Sequence, residues 1–110
     1  MKNSAFLDTS LHYFEKAIVT NNYKNYDVYY ERGVLYRNDS GDYAKAIQDF
    51  KTSIEINPFH LYSHLNLGWC LKFNNQIEES YIAFKNAMKY FPNNKQVKKG
   101  INEMEKLINR

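Results

Sequence analysis

The chain is poor in the residues that punctuate or staple a fold. Two prolines and four glycines in 110 residues are too few for the closely spaced turns of a small β protein, so long uninterrupted elements are expected. The single cysteine, Cys70, cannot close an internal disulfide; no oxidising compartment is implied, and a cytoplasmic, intracellular setting is expected. No apolar run approaches the ~18 residues that span a bilayer. Asp8, His12 and Glu15 interrupt the stretch where a secretory signal would be apolar, so neither membrane insertion nor export is expected. Glycine-rich phosphate loops and paired-carboxylate signatures are missing as well. Nothing assembles a nucleophile, base and electrophile, so the expectation is a protein that is not an enzyme and carries no cofactor.

An excess of charge of one sign is also lacking over most of the chain. Residues 1–92 hold ten basic and ten acidic side chains, and the net charge of +3 arises wholly in residues 93–110. There Lys95, Lys98, Lys99, Lys106 and Arg110 are interleaved with Glu103 and Glu105, the pattern of a solvated helix face. What the chain does have is a globular share of apolar residues, 44%, with ten tyrosines and seven phenylalanines. That suits one small packed domain over 1–110.

A repeat organises these aromatics. Phe14, Phe50 and Phe84 lie 36 and 34 residues apart. Four residues before them stand Ser10, Ala46 and Ser80, and three after them Ala17, Ser53 and Ala87, all small. Small residues at such spacing share a helical stripe with the phenylalanine, where a second helix can approach closely. Gly33 and Gly68 are 35 apart, and Pro58 and Pro92 are 34 apart. Glycine inside an apolar-periodic helix costs ~1 kcal/mol, and close approach of the paired helix backbone is the expected compensation. The prolines are expected to stop the second helix of each pair. The glycine-to-phenylalanine distance is 17 in one copy and 16 in the other, which places one extra residue within Arg37–Gly41.

Six helices follow, near 4–20, 26–38, 42–56, 61–74, 77–91 and 94–108. Asn3 or Ser4 is expected to cap the first and Asp42 the third. In the last, Val97, Ile101, Met104 and Ile108 form the apolar stripe of a terminal capping helix.

Tyr29-x2-Arg32-Gly33-x2-Tyr36, Ala46-x3-Phe50 and Pro58, followed by His64-x2-Leu67-Gly68-x2-Leu71, Ser80-x3-Phe84 and Pro92, resemble two tetratricopeptide repeats. Gly41-Asp42-Tyr43 resembles the family's inter-helix turn. Arg32 stands where the family usually has leucine, Tyr29 and His64 where it has tryptophan, and Asn22 where a preceding half copy would have proline. The resemblance implies an all-α solenoid of antiparallel helix pairs: a half repeat at 4–22, repeats at 26–59 and 60–94, and a capping helix at 95–110. It implies that the first helix of each pair lines a concave groove, and that the chain is a scaffold or adaptor binding a protein or peptide there.

On that assumption the partner-binding residues are Tyr30, Val34 and Arg37 from the first pair, and Tyr62, Leu65, Asn66, Trp69, Lys72 and Phe73 from the second. Trp69 and Tyr30 are the expected anchors, whose truncation should weaken binding and leave stability unchanged. Members that clamp a chaperone's terminal carboxylate do so with lysines, arginine and asparagines. The matching positions are Tyr30, Val34, Asn66, Gln96 and Gly100; only Asn66 fits and no cation is offered, which argues against a co-chaperone.

The alternative expectation is assembly, with a second copy or in a larger complex. The helix at 4–20 is a second helix without a first, and Phe6, Leu7, Leu11 and Tyr13 form its candidate assembly face. Other chemistry is thin. His60 and His64 lie one turn apart with no further ligand, so no metal is expected. Cys70, inside an apolar helix, is expected to be a small core residue. Base-by-base RNA reading needs one polar pair repeated in every copy; Asp27 and Glu31 do not recur as Tyr62 and Asn66, which argues against nucleic acid.

Overall fold

The computed structural model describes residues 4–22 and 24–110, with side chains from 7 to 20 and from 24 onward. The described residues form α1 (Ser4–Ala17), α2 (Tyr26–Leu35), α3 (Tyr43–Ile56), α4 (Leu61–Phe73), α5 (Ile77–Tyr90) and α6 (Lys95–Ile108), with no strand among them. Successive helices pack on one another, giving a two-layer solenoid of helical hairpins. The layer α2, α4, α6 lies against the layer α3, α5. Helices α3 and α5 end two residues before Pro58 and Pro92, as residues unable to continue a helix require.

The extra residue expected within Arg37–Gly41 is absorbed as a π turn, Tyr36–Ser40, on the end of α2. A π turn takes up one residue more than an α turn, so the insertion lengthens the helix without displacing its partner. Gly41 then turns the chain at φ 65°, the left-handed region that favours glycine. Asp42 caps α3 as expected, accepting from the Lys45 N–H at 3.1 Å. A second π turn, Ile18–Asn22, extends α1. Asn3, one of the two caps expected for α1, lies outside the described residues; Ser4 is the first residue of the helix.

Phe50 and Phe84 are fully buried, each at the centre of one core cluster. The first cluster joins α3 to α4 through Ala46, Ile47, Leu67, Cys70 and Leu71. The second joins α4, α5 and α6 through Leu65, Ala87, Val97, Ile101 and Met104. Phe14 departs from the repeat: it is only half-buried. Helix α1 rests on α2, and no helix among the described residues covers its other side.

The glycines are explained differently from the expectation of backbone contact. A Cβ on Gly33 would stand 2.8 Å from Phe50 Cε1, and one on Gly68 would stand 2.6 Å from Phe84 Cε1. The ring of the paired helix therefore occupies the space, and the phenylalanine and glycine of each repeat form one packing unit. Gly100 of α6, named from the sequence only as a clamp position, meets the same Phe84 ring, with a built Cβ 2.6 Å from Cδ1. The close approach of α4 and α5 comes at Ser80, whose hydroxyl donates to the Gly68 carbonyl at 2.6 Å.

Arg32 is explained by Asp49 on α3. Its Nε and Nη2 donate to the two carboxylate oxygens at 2.8 and 2.7 Å, and the guanidinium also lies near the Tyr29 and Tyr36 rings. The bidentate bond to Asp49 raises the arginine pKa above its usual value against the opposing effect of burial.

His64 is buried where α4 meets the end of α5. Its Nε2 donates to the Pro58 carbonyl at 2.7 Å, and the Tyr90 and Phe91 rings flank it. Burial lowers its pKa, only partly offset by that carbonyl. The unfolded chain therefore binds more protons than the folded one below pH ~6.5. Stability from this site is complete above that pH and falls as the pH drops toward the folded-state value. Melting temperature is expected to decline from pH 7 to pH 5, and the decline should flatten in His64→Gln, which keeps a donor for Pro58. Parallel profiles for the two proteins would remove His64 from the account.

Candidate functional site

One face of the α2, α4 and α6 layer carries a set of polar and aromatic groups, several of which also lean on rings of α3 and α5. Its floor is Asn66, buried on α4. Asn66 Nδ2 donates to the Tyr62 carbonyl one turn back at 2.8 Å, which aims Oδ1 toward α2. There the Arg37 guanidinium donates to it through Nη1 and to Asn38 Oδ1 at 2.9 Å through Nε. This corrects the expectation that no cation stands near Asn66. Arg37 belongs to the π turn and reaches that site from outside the five clamp positions.

Tyr30 closes the other side of this floor. Burial and neighbouring Glu31 push its phenol above the usual value, while Arg37 and the Asn66 side chain pull the other way. Its ring meets Phe50 at 5.9 Å and His60 at 4.6 Å. His60 touches Tyr26 and Tyr62 in turn. Its Nδ1 pairs with the Ser63 hydroxyl at 2.7 Å, and that hydroxyl with Ser53 at 2.8 Å. Burial lowers the His60 pKa, against the pull of Asp27 and Glu31. The ring nitrogens of His60 and His64 are thus directed to separate protein partners. Among the described residues no three His, Cys, Asp or Glu side chains gather to hold a metal.

Tyr62 and Phe73 stand at opposite ends of the α4 stripe with 56% and 53% of their surface exposed. Phe73 leans on the Tyr43 ring at 5.7 Å and keeps its outer side open. Between them Trp69 is half-buried, edge-on to Phe84 at 5.1 Å, with the Lys72 ammonium 5.6 Å from its ring centre. Lys72 also pairs with Glu103 of α6 at 3.8 Å. Val34 is half-buried beside the first core cluster.

Leu65 is placed otherwise than expected: it is buried in the second cluster against Phe84 and Val97, because its side of α4 faces α6. Tyr30 and Trp69 each support a core phenylalanine, so truncating either removes packing as well as surface. The exposed pair Tyr62 and Phe73 is the cleaner probe of this face. Cys70 is fully buried, and burial pushes its thiol up to about 11, as suits a small core residue.

The candidate assembly face on α1 is partly described. Leu7 and Leu11 are half-buried and Tyr13 is 66% exposed, packed edge-on against Phe14. The side chain of Phe6 lies outside the described residues. A separate depression between α3 and α5, unseen from the sequence, has a floor of Ile54, Leu67, Leu71 and Ala83 with Lys51 and Glu79 on its rim. No described helix is long and apolar enough to cross a membrane.

Models of the tetratricopeptide repeat match residues 26–60 and 50–81. Over 63 residues the chain is 35% identical to Uncharacterized protein MJ0572 of Methanocaldococcus jannaschii, covering 57% of this chain and 72% of that protein. Among solved structures, the Yersinia enterocolitica type III secretion chaperone SycD in complex with a peptide of the translocator YopD superposes with a TM-score of 0.79 at 15% identity, over 97% of this chain and 85% of that one. The first TPR of Spaghetti (RPAP3) bound to the HSP90 peptide SRMEEVD gives 0.78 at 14% identity, over 94% and 83%.

Proposed function

Since the chain belongs to the tetratricopeptide repeat family, we propose that it is a non-enzymatic module that captures a segment of a partner protein on its α2–α4–α6 face. The observation that carries this reading is the pair Tyr62 and Phe73. Two large aromatic side chains more than half exposed on one helix flank a floor whose Asn66 and Arg37 are already oriented. Aromatic anchors beside fixed polar groups supply contact area at small entropy cost. The similar folds of SycD and the RPAP3 domain, both solved with a peptide, accord with this use.

A terminal-carboxylate clamp is not favoured. Tyr30, Val34, Gln96 and Gly100 bring no cation to the positions that family clamps use, and Arg37 alone replaces none of the spacing. The second reading is self-assembly through α1. Tyr13 at 66% and Val19 at 83% exposure favour it.

One experiment locates the surface that captures a segment. Peptides selected on the protein from a random dodecapeptide phage library are tested against single variants. If the α2–α4–α6 face is the site, Tyr62→Ala and Phe73→Ala each weaken them about tenfold at unchanged melting temperature, and Tyr13→Ala leaves them unaffected. Binding lost only on Tyr13→Ala would transfer the site to α1.

A further inference from the structure

A basic residue occupies the last turn of every helix in the α2–α4–α6 layer: Arg37 in the π turn that ends α2, Lys72 in α4 and Lys106 in α6. The three lie 35 and 34 residues apart, in phase with the glycine and proline landmarks of the repeat. Cations near a helix C-terminus complement its dipole, but that effect acts on any helix at any azimuth. Outside this layer α3 has no cation in its last turn, while α1 has Lys16 and α5 has Lys89. What is particular to the α2–α4–α6 layer is that every one of its helices has such a cation and that the three recur with the period of the repeat.

The side chains also lean in one direction. Arg37 reaches from α2 to Asn66 on α4, and Lys72 reaches from α4 to Glu103 on α6. Lys106 is one turn beyond Glu103 on α6, and both border a shallow depression that Lys95, Lys98 and Lys99 also line. The three cations thus stand at the C-terminal ends of the three helices of the layer. The acceptors now holding them are weak competitors. At Arg37 the acceptor is a neutral amide, and a carboxylate there makes a stronger, charge-assisted bond. At Lys72 the ion pair is 3.8 Å long and a third exposed on both sides, a kind worth little in water. Nearer the start of α2, Asp27 and Glu31 are exposed.

We propose that these three cations read acidic side chains of an extended partner segment, with carboxylates on Arg37, Lys72 and Lys106 and apolar side chains on Tyr62 and Phe73. The inference rests on the α2–α4–α6 face being the binding site. It requires no free C-terminus and uses none of the terminal-carboxylate clamp positions. Successive cations stand on different helices, so an extended segment, rising ~3.3 Å per residue, meets them with acidic residues several positions apart. Asp27 and Glu31 repel acid from the start of α2, which selects the register.

The test uses the same phage-displayed dodecapeptides, which have no free C-terminus. Selected peptides should be enriched at least about threefold in Asp and Glu. Their synthetic amidated forms should lose about tenfold in affinity when Arg37→Gln, Lys72→Gln and Lys106→Gln are combined. A control of equal charge, Lys51→Gln with Lys85→Gln and Lys89→Gln on the α3–α5 layer, should change affinity less than about twofold. Melting curves of both triple variants establish that they fold. Peptides that need Tyr62 and Phe73 yet show no acidic enrichment, or that respond equally to both triple variants, overturn the acidic reading and leave the face as the binding site. Peptides indifferent to Tyr62 and Phe73, or no selectable peptide at all, overturn the face and the acidic reading together.

Discussion

Replacing Gly68 with alanine is expected to lower unfolding stability by about 3 kcal/mol, read as a fall of about 10 °C in melting temperature. Helix propensity alone forecasts the opposite sign, a gain of ~1 kcal/mol for alanine in a helix interior. Packing decides the outcome because the new methyl would stand 2.6 Å from Phe84 Cε1. The ring has nowhere to retreat. Gly100 of α6 meets the same ring at a comparable distance, and Trp69 lies edge-on to it at 5.1 Å. Relief therefore has to come from α4 and α6 moving apart, which opens the second core cluster. The double variant Gly68→Ala/Phe84→Leu should show a coupling of ~1–3 kcal/mol, since the smaller side chain frees the space the methyl needs. A Gly68→Ala protein as stable as its parent would mean that the ring does not lie on the α4 backbone.

The second large effect is expected at Arg32. Substituting leucine, the residue usual at that position in the family, should cost about 3 kcal/mol in urea unfolding at neutral pH. The reason is not the arginine but what it leaves behind. Asp49 is 3% exposed and would keep a carboxylate with neither partner nor water. The converse change, Asp49→Ala, is expected to cost less, because the Arg32 side chain is 20% exposed and can turn its guanidinium toward solvent. Exchanging both residues for leucine should bring stability back to within about 1 kcal/mol of the parent, as buried pairs replaced whole by apolar groups commonly do. A double variant as unstable as Arg32→Leu would show that the pair contributes more than mutual neutralisation, through the tyrosine rings that flank it.

These two sites mark where sequence reasoning succeeded and where it stopped. The helix pairs, their order and their ends were legible because Gly33, Phe50 and Pro58 recur as Gly68, Phe84 and Pro92, a recurrence visible without knowing what each residue touches. The odd residue between Arg37 and Gly41 was also visible as a change in spacing, although only the structure shows it as a π turn. On the candidate binding face, Tyr62, Asn66, Trp69, Lys72 and Phe73 share the α4 stripe that helical spacing assigns. Leu65 shares it in projection but faces α6 and the second core.

By itself, then, the sequence determined the class of fold, the pairing of helices and the stripe of α4 that faces outward, since period and residue type are one-dimensional quantities. Tertiary structure alone decided which ring fills each glycine gap, that Arg32 meets Asp49, that Arg37 reaches Asn66, and that Phe14 is left half-covered. Each of those depends on the distance and rotation between two or three helices at once. A pattern read along one helix carries its own periodicity, but not the azimuth of the neighbours that complete the contact.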